Sequence, residues 1–286
     1  MSIFKKPSFR SDSKKRDMPE GLWQKCPDCG EVVHQLTLVE NLRVCPKCDY
    51  HFTIDARERL NGFLDAGTFE EFDADMQPTD VLNFRGPKAY RESLDKYQEL
   101  TGMPDAVVSG TGKSEGRQIA VAVMDFRFLA ASMGSVVGEK ITRMIEYGTE
   151  HRLPVIIFTA AGGARVHEGL FGLMQMVKTS GALARHAQAG LPYIPVLTNP
   201  TTGGVSASFA TLGDLILAEP KCMVGFAGPR VIRETTHQDL PPGFQTAEFL
   251  EDHGLVDMIV HRKKMKSTVA EILNYFCGGK EGGGDC

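Results

Sequence analysis

The sequence predicts an α/β fold in which a strand, a glycine pair and a helix recur, preceded by a small metal-binding module. Two apolar runs each end in a glycine pair, Gly162-Gly163 and Gly203-Gly204, and a helical pattern follows each pair. Two Cys-x-x-Cys pairs lie near the N-terminus. With 286 residues, 42% of them hydrophobic and 24% charged, the chain can form one large domain and one small appendage.

The bulk composition excludes several classes of protein. A net charge of −4 does not favour nucleic acid as a partner, and no apolar run approaches the roughly 20 residues that span a bilayer. The basic segment 1–21 lacks the apolar stretch of a secretory signal, so we interpret it as a disordered arm in a cytoplasmic protein. The seven cysteines fit that location if four of them bind metal.

Residues 22–55 are predicted to form a zinc ribbon. The four ligands are Cys26, Cys29, Cys45 and Cys48, in two knuckles whose spacing is typical of four-cysteine zinc sites. Alternating side chains between the knuckles predict a β-hairpin, and these are Val32, His34, Leu36 and Leu38. Four thiolates close the coordination shell, so the metal is expected to fold the module without taking part in chemistry. A nucleic-acid-binding ribbon is the alternative, which steeply salt-dependent binding would favour.

The residues from 56 onward are assigned to the large domain, 56–276. Short helices are expected at 56–65 and 90–100, followed by a β-hairpin that turns at 114–116 and a helix over 136–151. These elements form one β-β-α unit. Asp125 and Arg127 follow the second strand, where an ion pair is favoured over a functional site.

The next two units carry the glycine pairs. Strands are predicted at 154–159 and 191–198, with a helix over 169–189 between them. The apolar face of this helix is predicted from Leu170, Leu173, Met174, Val177, Leu183 and Ala184. A turn at 199–202 is expected to lead into a second helix that begins at Gly203-Gly204, with Thr202 as its N-cap.

The glycine corners are the candidate active site. Glycine lets the backbone approach a ligand closely because it has no Cβ. Backbone N–H groups at such corners can stabilise the negative charge that develops on a carbonyl oxygen. The candidate donors are Gly162, Gly163, Ala164, Gly203 and Gly204. Close packing of strand against helix is the alternative explanation for the glycines.

A nucleophilic hydrolase is a less favoured interpretation of the same stretch. Its side chains could supply a Ser–His–acid triad, drawn from Ser206, Ser208, His167, Glu168 and Asp214. The nucleophile-elbow pattern Gly-x-Ser-x-Gly is absent, since the local sequence is GVSAS. Small residues of this kind also occur where helices pack closely.

The C-terminal part is predicted to contain short strands at 214–218, 223–226 and 256–260 and helices that begin near 228, 246 and 263. Basic side chains there could meet anionic groups of a cofactor, although solvated surface is the commoner explanation, and they are Arg230, Arg233, Arg262, Lys263, Lys264 and Lys266. The glycine-rich segment 277–286 is expected to be a disordered tail.

Several long motifs occur in one order along the chain. They are the two cysteine knuckles, SMGSVVGEK at 132–140, GGARVHEGL at 162–170, LMQMVKTS at 173–180, PTTGGVSASFA at 200–210 and GFAGPRVI at 225–232. Together they resemble the bacterial acetyl-CoA carboxylase carboxyltransferase beta-subunit family over about residues 22–262. None of the small departures from the family pattern, such as His167, removes a backbone donor.

The resemblance implies a crotonase-like (ClpP/crotonase) fold, a spiral of ββα units with an N-terminal four-cysteine zinc ribbon. It implies an alpha subunit of the same fold in an α2β2 assembly, together with biotin carboxyl carrier protein and biotin carboxylase. The implied reaction moves a carboxyl group from carboxybiotin to acetyl-CoA and forms malonyl-CoA, for fatty acid biosynthesis. A crotonase-fold acyl-CoA hydrolase is the alternative within this fold. In the family mechanism the biotin ureido anion is the base, which agrees with the lack of a convincing side-chain base in the sequence.

Overall fold

The computed structural model describes residues 22–278, so the predicted arm at 1–21 and residues 279–286 of the predicted tail lie outside the described residues. The large domain is built on one mixed sheet, whose strands are β3 (Glu70–Glu71), β4 (Val107–Ser114), β5 (Arg117–Met124), β6 (Val155–Ala161), β7 (Tyr193–Thr202), β8 (Leu217–Ala218), β9 (Val224–Gly225) and β10 (Met258–Ile259). The strand order in the sheet is β10-β8-β7-β6-β5-β4-β3, and β9 pairs with β7. The predicted α/β class is confirmed.

Most of the helices lie between these strands, and the strand–strand–helix order that begins at Val107 confirms the predicted β-β-α unit. Their bounds are α2 (Ala56–Phe63), α3 (Tyr90–Thr101), α4 (Ser135–Glu150), α5 (Leu170–Gln188), α6 (Pro229–Thr236), α7 (Ala247–Asp252) and α8 (Met265–Phe276). Among residues 22–278, no helix has the length and apolar character needed to cross a membrane.

The centre of the sheet is parallel. Strand β5 pairs with β6, and β6 pairs with β7, in the same direction. Strand β6 is buried along its whole length, as expected for a parallel strand covered on both faces. Because β6 and β7 run side by side, the loops that follow their C-terminal ends emerge at the same edge of the sheet.

The predicted hairpin and the helix after it are confirmed. Strands β4 and β5 are antiparallel and turn at Glu115-Gly116, both of which have positive φ. Helix α4 buries its apolar stripe, including Val137, Ile141 and Met144, against the sheet. After β5, Arg127 Nη2 lies 2.7 Å from Asp125 Oδ2, which confirms the expected ion pair.

The N-terminal module consists of an antiparallel pair, β1 (Trp23–Lys25) and β2 (Val32–His34), followed by α1 (Gln35–Glu40). The predicted strand-like alternation of Leu36 and Leu38 is wrong, because both residues lie in α1. His34 ends the strand and caps this helix, since its Nδ1 accepts a hydrogen bond from Leu36 N at 3.2 Å.

The prediction of a helix beginning at Gly203-Gly204 is also wrong. Strand β7 continues to Thr202, so 199–202 is strand and Thr202 is not an N-cap. Residues 203–208 form consecutive turns that end in a short 3-10 helix, Phe209–Thr211. The hydroxyl of Ser208 bonds to Gly204 O at 2.6 Å, and such local side-chain bonds compete with regular helix formation.

Candidate functional site

The two glycine corners meet at the C-terminal edge of the sheet. The register pairs Ala161 at the end of β6 with Thr201 near the end of β7. Thr202 Oγ1 also donates a hydrogen bond to Ala161 O at 2.8 Å. Beyond these strands, a Cβ placed on Gly203 would lie 2.6 Å from Gly163 Cα. The predicted proximity of the two corners therefore holds at the level of backbone atoms.

The expected donors differ in whether their N–H groups are already bonded. Gly162 N donates to Ala130 O at 2.7 Å, and Gly203 N donates to Phe226 O at 2.9 Å. These two groups have acceptors within the protein and cannot also serve a ligand at full strength. Within residues 22–278, the expected donors that have no acceptor are the N–H groups of Gly163, Ala164 and Gly204.

The amides of the corners belong to loops and not to the first turns of long helices. Seven residues separate Gly162 from the start of α5, and they include a short 3-10 turn, Val166–Glu168. The second corner leads into turns, as described above. Any stabilisation of negative charge must therefore come from individually oriented N–H groups, with little contribution from a helix dipole.

The side chains considered for a Ser–His–acid triad are not arranged as one. Ser206 Oγ donates to Gly203 O at 2.8 Å, and Asp214 Oδ2 accepts from Tyr193 N at 2.8 Å. The ring of His167 stacks on Tyr90 with centroids 4.9 Å apart. Burial and the nearby charge of Arg165 lower the pKa of His167. None of these groups forms a nucleophile–base pair within the described part of the chain.

A buried polar cluster lies behind the first corner, and it was not identified from the sequence. It consists of the side chains of Tyr90, Asp105, Arg165 and Glu168. Arg165 forms two hydrogen bonds to the Asp105 carboxylate, at 2.6 and 2.7 Å. Burial opposes the charge of Arg165, but the adjacent Asp105 outweighs it and raises the pKa of the guanidinium.

The four predicted cysteines converge on one point. Their Sγ atoms all lie within 4.8 Å of one another, with Cys26–Cys48 at 3.6 Å and Cys29–Cys45 at 3.8 Å. A tetrahedral zinc ion with Zn–S bonds of about 2.3 Å requires sulfur–sulfur distances of about 3.8 Å. The donor set therefore fits zinc. The cysteines also pack in a small core of their own, separate from the core of the large domain.

The ribbon is fastened to the large domain by a second buried ionic cluster. Glu219, directly after β8, accepts hydrogen bonds from Arg59 at 2.8 Å and from Arg262 at 2.6 and 2.8 Å. Arg262 Nη1 also donates to the ribbon carbonyls of Leu42 at 2.9 Å and Phe52 at 3.0 Å. The interpretation of Arg262 as solvated surface is therefore wrong, because its side chain is buried between the two modules.

Part of the predicted apolar face of α5 is exposed. Leu183 is buried, as expected. The N-terminal half of the helix is not covered, and we call its exposed apolar side chains, with one from the preceding turn, the α5 patch: Val166, Leu170, Phe171, Leu173, Met174 and Val177. The patch begins directly beside the first glycine corner. Contiguous exposed apolar surface of this kind marks an interaction site.

Two family models match the chain. The carboxyl transferase domain matches residues 55–247, and the acetyl-CoA carboxylase zinc finger domain matches residues 23–48. A relative from Synechococcus sp. (strain RCC307), the acetyl-coenzyme A carboxylase carboxyl transferase subunit beta, is 57% identical over 257 residues. The match covers 90% of this chain and 88% of the relative.

Solved structures show the same fold. Transcarboxylase 12S, solved with methylmalonyl-coenzyme A and methylmalonic acid bound, aligns with a TM-score of 0.66 at 27% identity. That match covers 79% of this chain and 42% of the transcarboxylase chain. One chain of the Pseudomonas malonate decarboxylase hetero-dimer aligns with a TM-score of 0.60 at 23% identity, and the match covers 78% of this chain and 86% of that chain.

These similarities agree with the observed features of the chain. The zinc finger match spans the four converging cysteines, and the carboxyl transferase match spans both glycine corners. The predicted crotonase-like α/β fold with an N-terminal zinc ribbon is confirmed. The chain belongs to the family of acetyl-CoA carboxylase carboxyl transferase beta subunits.

Proposed function

We propose that this chain transfers a carboxyl group from carboxybiotin to acetyl-CoA and so forms malonyl-CoA, in the cytoplasm and for fatty acid biosynthesis. The observation that carries the proposal is the backbone contact of the two glycine corners, which brings three unpaired N–H groups to one edge of the sheet. The names of the relatives and the two family models support the same reaction class.

In this proposal the N–H groups of Gly163, Ala164 and Gly204 receive the thioester oxygen of acetyl-CoA. Loss of a proton from the acetyl methyl group places negative charge on that oxygen. Each correctly aimed N–H group lowers the barrier by about 3–4 kcal/mol, as in other oxyanion holes. The amides are held by the protein before the reaction starts, so little reorganisation is needed when the charge develops.

The proposal requires no side-chain base from this chain. The proton of the acetyl methyl group passes to the ureido nitrogen of biotin after the carboxyl group has left it, and the methyl carbon then bonds to that carboxyl carbon. In the described part of the chain, Ser206, Asp214 and His167 are engaged elsewhere, as shown by their hydrogen bonds and stacking. The zinc ion would have a structural role, since Cys26, Cys29, Cys45 and Cys48 fill its coordination shell.

The proposed partner is an alpha subunit in an α2β2 complex that also receives biotin carboxyl carrier protein and works with biotin carboxylase. The α5 patch supports this, because an apolar surface that begins beside the first corner is well placed for a subunit that completes the site. The second half of the active site, which holds the biotin oxygen, would then lie on the alpha subunit.

The test is a malonyl-CoA decarboxylation assay, which runs the reaction in reverse. The purified chain is assayed alone, with an alpha subunit, and with an alpha subunit plus free biotin. We expect substantial turnover only when both subunits and biotin are present. Equal turnover by the isolated chain would contradict the shared site, and absence of turnover under all conditions would contradict the proposed reaction.

A further inference from the structure

The buried polar cluster behind the first glycine corner is more elaborate than packing alone requires. The Arg165 side chain is fully buried and forms a two-pronged pair with Asp105. Tyr90 OH accepts a hydrogen bond from Arg165 Nη1 at 3.2 Å and donates one to Glu168 Oε1 at 2.6 Å. One cation and two acidic side chains are thus enclosed beside a loop of the candidate active site.

Two side chains of this cluster, Arg165 and Glu168, form hydrogen bonds with the segment that leads into α4. Arg165 Nε donates to Ser132 Oγ at 3.1 Å, and Arg165 Nη2 donates to Ser132 O at 2.8 Å. Glu168 Oε2 accepts a hydrogen bond from Ser135 N, the first residue of α4, at 2.6 Å. Arg165 precedes the 3-10 turn and Glu168 ends it, and both side chains therefore bind the segment 132–135.

The backbone of the corner is bonded to that segment as well. Met133 N donates to Gly163 O at 2.9 Å, and Arg165 N donates to Met133 O at 2.9 Å. These two bonds hold the peptides on either side of Ala164. Gly163 has a φ of +118°, and glycine has no Cβ that would restrict its backbone to this conformation. The hydrogen bonds to Met133 are therefore needed to fix the orientation of the peptides at the corner.

Stability alone is a weak explanation for the cluster. Removing an arginine and two carboxylic side chains from water is costly. A protein in which apolar side chains of similar volume replace such a cluster is often equally stable or more stable. A planar guanidinium with fixed donors is instead suited to holding several acceptors at defined positions. Its acceptors here are Asp105, Tyr90 and both oxygens of Ser132, all immediately behind the corner.

We propose that Arg165 is a positioning residue that orients the N–H groups of Gly163 and Ala164, with Asp105 holding its guanidinium in place. This inference rests on the proposed function, in which those N–H groups receive the thioester oxygen. Arg165 acts from behind the loop and does not touch the substrate. Its contribution should therefore appear in turnover and in the local order of the loop, and only weakly in the binding of CoA.

The test uses Arg165→Lys in the complex with an alpha subunit, because lysine keeps the charge and loses the planar fork of donors. We expect kcat to fall about 10- to 100-fold, since misaligned donors stabilise the oxyanion poorly, while KM for acetyl-CoA stays within about twofold. Hydrogen–deuterium exchange of peptides spanning 160–169 should become at least about tenfold faster. Exchange of 203–211 should be unchanged.

Asp105→Asn is a second variant that preserves shape and one acceptor, so it remains informative if Arg165→Lys folds poorly. It should lower kcat by about tenfold with the same local increase in exchange. Arg262→Lys is the matched control, because it alters another buried arginine–carboxylate pair that lies away from the corners. It should leave exchange of 160–169 unchanged.

The outcomes separate the two proposals. If kcat of both Arg165→Lys and Asp105→Asn stays within twofold of the wild type, the positioning role is overturned. A uniform rise in exchange over the whole domain would also overturn it, because the cluster would then serve stability only. If the wild-type complex shows no carboxyl transfer, the proposed function fails, whereas the exchange measurement still reports on the orienting role of Arg165.

Discussion

Gly203 and Gly163 touch through their backbones, although they are forty positions apart in the chain and the whole of α5 lies between them. A Cβ on Gly203 would lie 2.6 Å from Gly163 Cα, a separation that real Cβ atoms do not adopt. A Cβ on Gly163 would have more room, since it would lie 3.8 Å from Gly203 Cα. The separation of the two corners is therefore set by the absence of a side chain at position 203.

Gly203→Ala should separate the corners and lower turnover. Alanine at this position must displace the Gly163 backbone, which moves at least one proposed donor, and loss of one donor typically costs about 10²–10³-fold in kcat. The control is Gly102→Ala. Gly102 has nearly the same φ, +67° against +66°, but nothing lies within 4 Å of the added Cβ. Equal kcat values for the two variants in the complex would contradict the role of close contact.

Removal of zinc should unfold the ribbon and leave the large domain folded. The ribbon has a small core of its own, and metal binding supplies about 10–16 kcal/mol to modules of this kind. Trp23 is the chain's one tryptophan and packs edge-on against His34 in the ribbon, so its fluorescence reports on this module alone. A chelator should shift its emission to the red with little loss of far-UV circular dichroism.

Cys48→Ser tests the metal site, and Cys222→Ala is its control. Cys48 belongs to the four-cysteine cluster, whereas Cys222 is buried outside it. Measured zinc content should fall only in Cys48→Ser. Full zinc retention by that variant would show that the four thiolates are not the ligands.

Glu219→Gln should destabilise the junction of ribbon and domain. The substitution leaves Arg59 and Arg262 buried without a matching charge, which costs about 3–5 kcal/mol of unfolding free energy. Urea unfolding followed by far-UV circular dichroism, which reports on the large domain that contains Glu219, measures the loss. Lys221→Met is the control, since it breaks the exposed Lys221–Asp28 pair between the same two modules and should leave the midpoint unchanged.

The contribution of Glu219 should also depend on pH. Burial opposes its ionisation, but Arg59 and Arg262 outweigh burial and hold the pKa of Glu219 well below its ordinary value of 4.5. In the unfolded chain the carboxyl group binds a proton near that ordinary value, so the stabilisation is complete above it and declines as the pH falls toward the depressed pKa. The stability difference between wild type and Glu219→Gln should shrink below pH 4.5. A constant difference down to pH 3 would contradict this.

Leu170→Asp should weaken binding of the alpha subunit. Leu170 is 68% exposed in the α5 patch, so aspartate should not disturb the fold of the isolated chain. Burying the new carboxylate in an apolar interface should weaken the complex at least about tenfold. Leu100→Asp is matched in exposure, at 66%, and lies on α3 outside the patch. Size-exclusion chromatography of the mixed subunits would contradict the prediction if both variants assemble equally well.

The sequence was sufficient for features that depend on local spacing. The four zinc ligands follow from two short knuckles, and both corners follow from glycine pairs at the ends of apolar runs. The Arg165–Asp105 pair could not be found in this way, because its members are 60 residues apart. Arg165 lies within the motif GGARVHEGL, but Asp105 belongs to no motif that would indicate a partner for it. Arg262 and Glu219 are likewise joined only by the tertiary fold.

The errors have a common physical cause. Apolar periodicity predicted one broad apolar face on α5, but periodicity does not say which part of that face the domain covers. Leu183 is covered by the domain, whereas Leu170 is exposed. After Gly203, small residues that could form a helix instead form turns, because the hydroxyl of Ser208 and the contact with Phe226 O satisfy the backbone there.

The bonds from Arg262 to the ribbon have a consequence for the order in which the chain is made. Residues 42 and 52 leave the ribosome early, whereas Arg262 lies 220 and 210 positions later. The ribbon can bind its metal and fold soon after it is synthesised, but it cannot form these bonds to the large domain until Arg262 has been synthesised. A nascent or truncated chain that ends before Arg262 would therefore carry a folded but undocked ribbon, so docking marks completion of the polypeptide.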